Sequence, residues 1–391
     1  MARQSIGYQP LVVFVNHSFN AIIKEAMDRL IQIPESKLDE LINAVEQLKD
    51  QESKMDTIQS IEQLLWSIQV SSIMPLSEQY EAMAQELASR EGKQIEWESA
   101  GFDLELPEKN RELVQNVLLH GVRNAIDHGI ETTGERVVSG KPEAGRIRAS
   151  VEIIATSLVI RVVDDGRGPD VEKIAKHAVE KSLVSETLLP KMSEEEKLEL
   201  VFRPGFSTKA EVDEMSGLGV GLEAIKAMTS KMSGKASVHK GASGGFMLSV
   251  VTPVEVIGVK AAKIKVGSEY FWLRDGYFKI VEETLSDEDK EKAFTFSKLI
   301  NQKLSETPRF ILLKIASKNI FVAVDEVGLG EPKLFRCIDE SFKHLGSGLY
   351  QNCFDAGNGR VLATKTDNGL ELFLDRVVLA KLIDRAVTAS T

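Results

Sequence analysis

Cysteine is almost missing. Cys337 and Cys353 are the only two in 391 residues. They lack metal-ligand spacing, which excludes a Cys-based zinc module and a disulfide framework and leaves two reduced thiols. Long Lys/Arg runs and basic aromatic platforms are absent, and the net charge is −11, so nucleic acid is not an expected partner. No apolar stretch approaches the length of a membrane span, and the N-terminus lacks a signal-peptide pattern. The expected location is cytoplasmic, with no direct membrane insertion. Two phosphate-binding signatures are also missing. None of the Gly-Lys pairs at 92–93, 140–141 and 234–235 is followed by Ser or Thr, so there is no Walker A loop. The glycine spacing does not give the dinucleotide fingerprint. What is present, 43% hydrophobic residues, suffices for two or three cores.

Three short segments carry the chemistry. His120 to Glu131 packs His, Arg, Asn, Asp and a second His into one amphipathic helix that breaks at a Gly. Val117, Leu118, Val122 and Ile126 recur at helical spacing, while His120, Asn124 and Asp127 fall three or four residues apart on another face. A solvated face usually carries Lys and Glu. Asn with Asp and His suits coordination of a hard cation and orientation of phosphates, or simply a capped surface helix. Next, the Val/Ile-rich run Val151 to Val163 ends in Asp164-Asp165-Gly166-Arg167-Gly168, which reads as strands feeding a turn. It is either an Asp-Gly hairpin or a carboxylate that accepts from an exocyclic amine while glycine backbone closes on a flat ring. Finally, Gly217, Gly219 and Gly221 alternate before a helix that starts at Leu222. That pattern brings backbone N–H groups together at a helix N-terminus, where phosphate oxygens bind.

In this order the segments resemble the N, G1 and G2 boxes of the GHKL ATPase superfamily shared by histidine kinases, type II topoisomerases, MutL and Hsp-type chaperones. Val201 to Lys209 (Val-Phe-Arg-Pro-Gly-Phe-Ser-Thr-Lys) resembles the F box of the chemotaxis histidine kinase family CheA, as does the N-box form Arg-Asn-Ala-Ile-Asp-His-Gly-Ile-Glu from Arg123. Most other members of the superfamily have Glu where this chain has His120.

The resemblance implies a multidomain α+β protein. Residues 1–74 are expected to be a helical-hairpin dimerisation domain, with helices over Val13–Ile31 and, after Pro34, through Leu38, Leu41, Val45, Leu48, Ile58, Ile61, Leu65 and Ile68. Residues 75–253 are expected to be an α/β sandwich that binds ATP, in which polar Pro190 to Leu200 forms a lid with the F box. Residues 254–391, with β-rich runs at 311–315, 321–325 and 359–363, are expected to be an all-β CheW-like domain.

It also implies roles for residues. Asn124 ligates Mg²⁺ on the triphosphate of ATP and, with His120, is the catalytic pair. Asp164 reads the adenine amine, with Gly166 and Gly168 around the ring. Gly217, Gly219 and Gly221 line the phosphate side, and Asp127, His128, Lys173, His177 and Ser207 complete the nucleotide contacts. A kinase has less need of a water-activating Glu than an ATPase, because an acceptor imidazole attacks as a neutral nucleophile near pH 7; His120 either takes part or only positions Asn124.

Two departures stand out: Leu218 where the family usually has Arg, and Gly245-Phe246 where it has Gly-Thr. None of the six histidines has the phosphotransfer-domain setting His-x-x-Lys-Gly, and the His-Glu-x-x-Thr-Pro box is missing. The expected acceptor is therefore a His on a separate phosphotransfer domain, in the manner of a CheA form lacking its own. A homodimer, a CheW-like adaptor, membrane chemoreceptors reached through it and, indirectly, a response regulator are the implied partners. A catalytically weak scaffold in a receptor array is the alternative, and a GHKL ATPase of another class is a third reading.

Overall fold

The computed structural model describes residues 70–206, 221–241, 244–281, 285–295, 303–315, 318–339, 353, 360–366 and 369–388. The dimerisation helices expected before residue 70, and with them the homodimer, lie outside these residues, as do Ser207, Gly217, Leu218 and Gly219.

After β1 (Ser71–Ser72), the helix α1 (Met74–Arg90) starts with Pro at its first turn, where the missing N–H costs nothing. It buries Leu76, Tyr80, Ala84 and Ala88, a four-residue repeat that makes one narrow stripe. The strands β2 (Ile95–Ala100) and β3 (Glu105–Leu106) lead into α2 (Glu108–Asn124). Leu113, Val114, Val117, Leu118 and Val122 of α2 are fully buried, each adding about 1.5–3 kcal/mol of burial. Gly121 lets the helix lie on the sheet, since a Cβ there would stand 2.8 Å from Val162.

That sheet is five-stranded, in the order β2-β4-β5-β7-β6, with β4 (Gly145–Ile154), β5 (Ser157–Asp164), β6 (Lys235–Lys240) and β7 (Phe246–Pro253). Only the β2–β4 pair is parallel, so the sheet is mixed. On β4 the residues Ile147, Ala149, Val151 and Ile153 are buried while Arg146 and Arg148 pair with Glu98 on β2, which separates an apolar from a charged face. After α3 (Thr133–Val138), which precedes β4, the remaining helices of this layer are α4 (Val171–Glu180), α5 (Glu194–Leu198) and α6 (Leu222–Lys231).

The C-terminal half is mainly β, as its texture predicts. β8 (Val256–Val266), β9 (Glu269–Arg274), β14 (Glu326–Asp339), β15 (Arg360–Thr366) and β16 (Gly369–Phe373) are ordered β8-β14-β15-β16-β9, and β9 pairs back to β8, closing a ring. A second sheet has the order β10-β12-β13-β11: β10 (Phe278–Ile280), β11 (Phe294–Thr295), β12 (Arg309–Ile315) and β13 (Lys318–Val324). Helix α7 (Asp287–Lys292) precedes β11. Helix α8 (Arg376–Thr388) packs Val378, Leu379, Leu382 and Ile383 into this core, and Asp375 accepts from Val377 and Val378 N–H at its start.

The two halves share sheet and core. Glu105 of β3 pairs with Gly258 of β8, and β1 extends the same sheet through β3. Arg274, nearly buried on β9, is ion-paired with Asp103, and the core around α2 continues into Ile257, Val259, Trp272 and Phe335.

Candidate functional site

The N-box helix does not end as a regular helix. After Asn124 it widens into a π turn, Ala125–Gly129, closed by Ile130 N–H donating to Ala125 carbonyl at 2.7 Å. The neighbouring Ile126 carbonyl accepts from Lys93 Nζ, whose side chain is nearly buried. The apolar positions Val117, Leu118, Val122 and Ile126 are all buried, while His120, Asn124 and Asp127 are half-buried and His128 is exposed. Gly129 ends the turn because a Cβ there would be 3.0 Å from the Asp164 carboxyl group.

Asp164 is the last residue of β5 and is 3% exposed. The chain continues into α4 and not into a hairpin. Its Oδ1 accepts from Gly166 N–H at 2.8 Å and from Phe246 N–H at 3.3 Å. Both bonds go to one oxygen, and Oδ2 takes none among the described residues. Burial pushes the carboxyl up to about 6, against the lowering effect of those two N–H groups and with help from the Asp165 and Glu131 charges.

Glycine backbone surrounds this carboxylate. A Cβ on Gly166 would stand 2.1 Å from the Gly129 carbonyl oxygen, and one on Gly245 would stand 1.9 Å from the Asp164 carbonyl oxygen. Gly168 has φ +72° and no room for a side chain against the Gly244 carbonyl. The result is a buried acceptor among closely packed peptide planes.

Behind the turn lies a charged cluster. Arg136, fully buried on α3, donates to Glu131 and Asp165 at 3.0 Å each and through Nε to the Pro142 carbonyl at 2.7 Å. Lys141 Nζ donates to Glu131 at 2.8 Å and to the carbonyls of Asp165 and Gly166 at 2.9 Å each. Arg146 N–H takes the other Asp165 oxygen at 2.9 Å, and Arg167 N–H reaches the Gly129 carbonyl at 2.9 Å. Burial alone would raise the Glu131 carboxyl; the Lys141 hydrogen bond, its own backbone N–H and the Lys141 and Arg136 charges outweigh that and hold it below the usual range. A capping box between Thr132 and Glu135 starts the helix that carries Arg136.

The remaining candidates lie along α2, α4 and α6. Burial, then the Arg123 charge, lowers the His120 imidazole despite the opposing Glu223 charge, so His120 is neutral near pH 7. Lys173 is exposed in the first turn of α4, which Asp170 caps. His177 sits one turn later, with Nε2 3.1 Å from the Phe206 carbonyl and its ring edge-on to Phe206, centroids 5.2 Å apart. The polar run before the F box is helical, with α5 capped by a Ser193–Glu196 box and tied to α4 by Lys197–Glu172 at 2.9 Å. Gly221 caps α6, with the Glu223 carboxylate where its Cβ would go.

Asn124, Asp164, Gly166 and Gly168 therefore lie on one contiguous set of turns, joined by Gly129 and Gly245. Among the described residues no hydrogen bond links His128 or Lys173 to that set. Sequence reasoning missed Lys93, Glu131, Arg136, Lys141 and Asp165. The Thr132-x-x-Glu135 box and the Gly140-Lys141 pair were the signals available.

Residues 109–256 match the family of histidine kinase-, DNA gyrase B-, and HSP90-like ATPases. The relatives narrow the class. The chain is 32% identical over 202 residues to the gliding motility regulatory protein of Myxococcus xanthus, covering 51% of this chain and 26% of that one. It is 32% identical over 267 residues to chemotaxis protein CheA of Klebsiella aerogenes, covering 62% and 40%. It is 33% identical over 189 residues to sensor histidine kinase CheAY of Helicobacter pylori, covering 48% and 24%. Over this region the chain is similar to CheA-type kinases, and it spans less than half the length of each of these relatives. No helix among the described residues is long and apolar enough to cross a membrane.

Proposed function

We propose that the protein is the core of a CheA-type histidine kinase, which binds ATP with Mg²⁺ and phosphorylates a His on a separate phosphotransfer domain. The observation that carries this reading is Asp164, a buried carboxylate with Oδ1 held by two backbone N–H groups, no bond to Oδ2 among the described residues, and glycine backbone packed around it. Such an oxygen accepts from the exocyclic amine of adenine, with Gly166 and Gly168 admitting the ring.

The residues present fit a metal brought in with the nucleotide. Among the described residues no group of three or more His, Cys, Asp or Glu could hold a metal alone. Mg²⁺ characteristically keeps phosphate oxygens and few protein ligands, and Asn124 supplies an amide oxygen on the last turn of α2, with Asp127 beside it. Bound there, Mg²⁺ would neutralise triphosphate charge. Gly221 offers its backbone N–H at the start of α6; Gly217, Gly219 and Ser207, the other candidates on the phosphate side, lie outside the described residues. His128, Lys173 and His177 are the further phosphate contacts, His177 through the F-box end it already touches. His120, one turn before Asn124 on α2 and a weaker base than a free imidazole because of its burial, either takes part in transfer or only positions Asn124.

Residues 1–74 would make the homodimer. The closed strand ring within residues 254–391 supports a CheW-like domain that docks an adaptor and chemoreceptors, with a response regulator receiving the phosphoryl group downstream. The scaffold reading rests on Leu218, outside the described residues, and on Phe246, which brings no hydroxyl to the adenine Asp; the Phe246 N–H still bonds Asp164, which favours retained binding.

Calorimetric titration with ATP, with and without Mg²⁺, tests the nucleotide reading. Saturable binding that Mg²⁺ tightens and Asp164→Asn weakens is the expected result. Absence of any ATP binding would leave the scaffold reading in its place.

A further inference from the structure

We infer that Lys141 is a positioning residue for base recognition, holding two consecutive peptide planes so that Asp164 presents one free oxygen to a purine amine. The inference rests on the adenine reading of Asp164 and adds the group that sets its selectivity.

The argument runs through covalent geometry. In a trans peptide the carbonyl and the N–H point in opposite directions from one rigid plane, so fixing one fixes the other. The Asp165–Gly166 plane has its carbonyl held by Lys141 at 2.9 Å, and its N–H is the group that donates to Asp164 Oδ1 at 2.8 Å. The Gly166–Arg167 plane has its carbonyl held by the same ammonium at 2.9 Å, and its N–H donates to the Gly129 carbonyl at 2.9 Å. Glu131 takes the third Lys141 bond at 2.8 Å, which uses all three donors of the ammonium and fixes its position.

Arg136 supports this from behind. With Arg146 N–H it holds both Asp165 oxygens, so of two adjacent carboxylates only Asp164 keeps an oxygen without a donor among the described residues. Glycine at 166 has no side chain to restrict its torsions, so without the ammonium nothing else among the described residues holds these two carbonyls. The same three-way contact explains why a Lys rather than an Arg stands here. A compact ammonium satisfies three convergent oxygens, whereas a planar fork does not.

The test uses the full chain with Mg²⁺ and compares the affinities of ATP and inosine triphosphate, which carries a carbonyl in place of the six-amino group. In Lys141→Met the ATP-to-inosine-triphosphate affinity ratio is expected to fall about tenfold, roughly the worth of one well-placed hydrogen bond. Lys141→Gln, which keeps a stem and one donor group, is expected to lie between the two and serves if the Met variant does not fold. Lys141 is 28% exposed, so its replacement is milder than that of fully buried Arg136.

A purely structural role would lower the melting temperature and both affinities together while leaving the ratio at its wild-type value, and that result overturns the inference. Asp164→Asn separates the two levels. If that variant keeps wild-type ATP affinity, the adenine reading itself fails. If it loses ATP while Lys141→Met keeps the full ratio, only the positioning role fails.

Discussion

Phe246 N–H donates to Asp164 Oδ1 at 3.3 Å, joining two positions 82 residues apart. This bond bears on a departure visible in the sequence, the Phe where CheA relatives usually have Thr. The backbone supplies a donor to Asp164 whatever side chain stands at 246, so the missing hydroxyl removes one group and not the whole contact.

Asp164→Asn is expected to weaken ATP binding by about 10- to 150-fold, the range for a hydrogen bond to a charged group of about 1.5–3 kcal/mol. The same change is expected to stabilise the unliganded protein at pH 7. Its carboxyl rises from 3.8 to about 6 on folding, a cost on the order of 3 kcal/mol when ionised. Thermal melting without nucleotide, beside calorimetry with it, reads both effects.

The pH dependence follows with opposite signs for binding and stability. The folded state holds the Asp164 proton more tightly than the unfolded chain, so this group's contribution to stability falls as pH rises from the unfolded value through about 6. Nucleotide binding needs the ionised acceptor and is expected to weaken as pH falls through about 6. Asp164→Asn is expected to lose that dependence, which affinity measurements at pH 5, 6 and 7 would show.

Two glycine substitutions are expected to part company. Gly166→Ala drives a Cβ to 2.1 Å from the Gly129 carbonyl oxygen, so the turn must move and ATP binding is lost. Gly134→Ala meets nothing within 4 Å in helix α3 and is expected to stabilise by about 0.4–1 kcal/mol. Urea unfolding of both variants, with ATP titration of whichever folds, checks the pair.

Arg136→Met leaves Glu131 and Asp165 without their buried partner and is expected to cost about 3–5 kcal/mol. The Glu131 carboxyl lies below its unfolded value of 4.5 in the fold, so its contribution is present above that value and lost as pH falls through the folded one. The loss on substitution is therefore expected to be larger at pH 7 than at pH 4 in denaturant titrations.

The sequence revealed those parts of the site that depend on local pattern. The buried stripe of α2, the strands ending at Asp164 and the helical run before the F box follow from periodicity and turn residues. What it did not reveal depends on backbone atoms and distant partners. The π turn needs Gly129 against Asp164 and Lys93 on the Ile126 carbonyl, 33 residues away. Lys141 acts on carbonyl oxygens, which carry no residue identity, and its Gly-Lys pair stood out only as a failed Walker motif. The pairing of Glu105 with Gly258 joins a two-residue strand to a distant one, too short for any periodic signal. The hairpin alternative for Asp164-Asp165-Gly166 failed because Asp164 closes a strand that continues into α4.

The most direct test of the kinase reading is transfer of label from γ-labelled ATP, with Mg²⁺, to separately expressed phosphotransfer domains from the same organism, with Asn124→Asp as control. The expected result is acid-labile label on the His of one such domain, absent in the control. Tight Mg²⁺–ATP binding with no transfer to any of them, even with adaptor and receptor added, would contradict it.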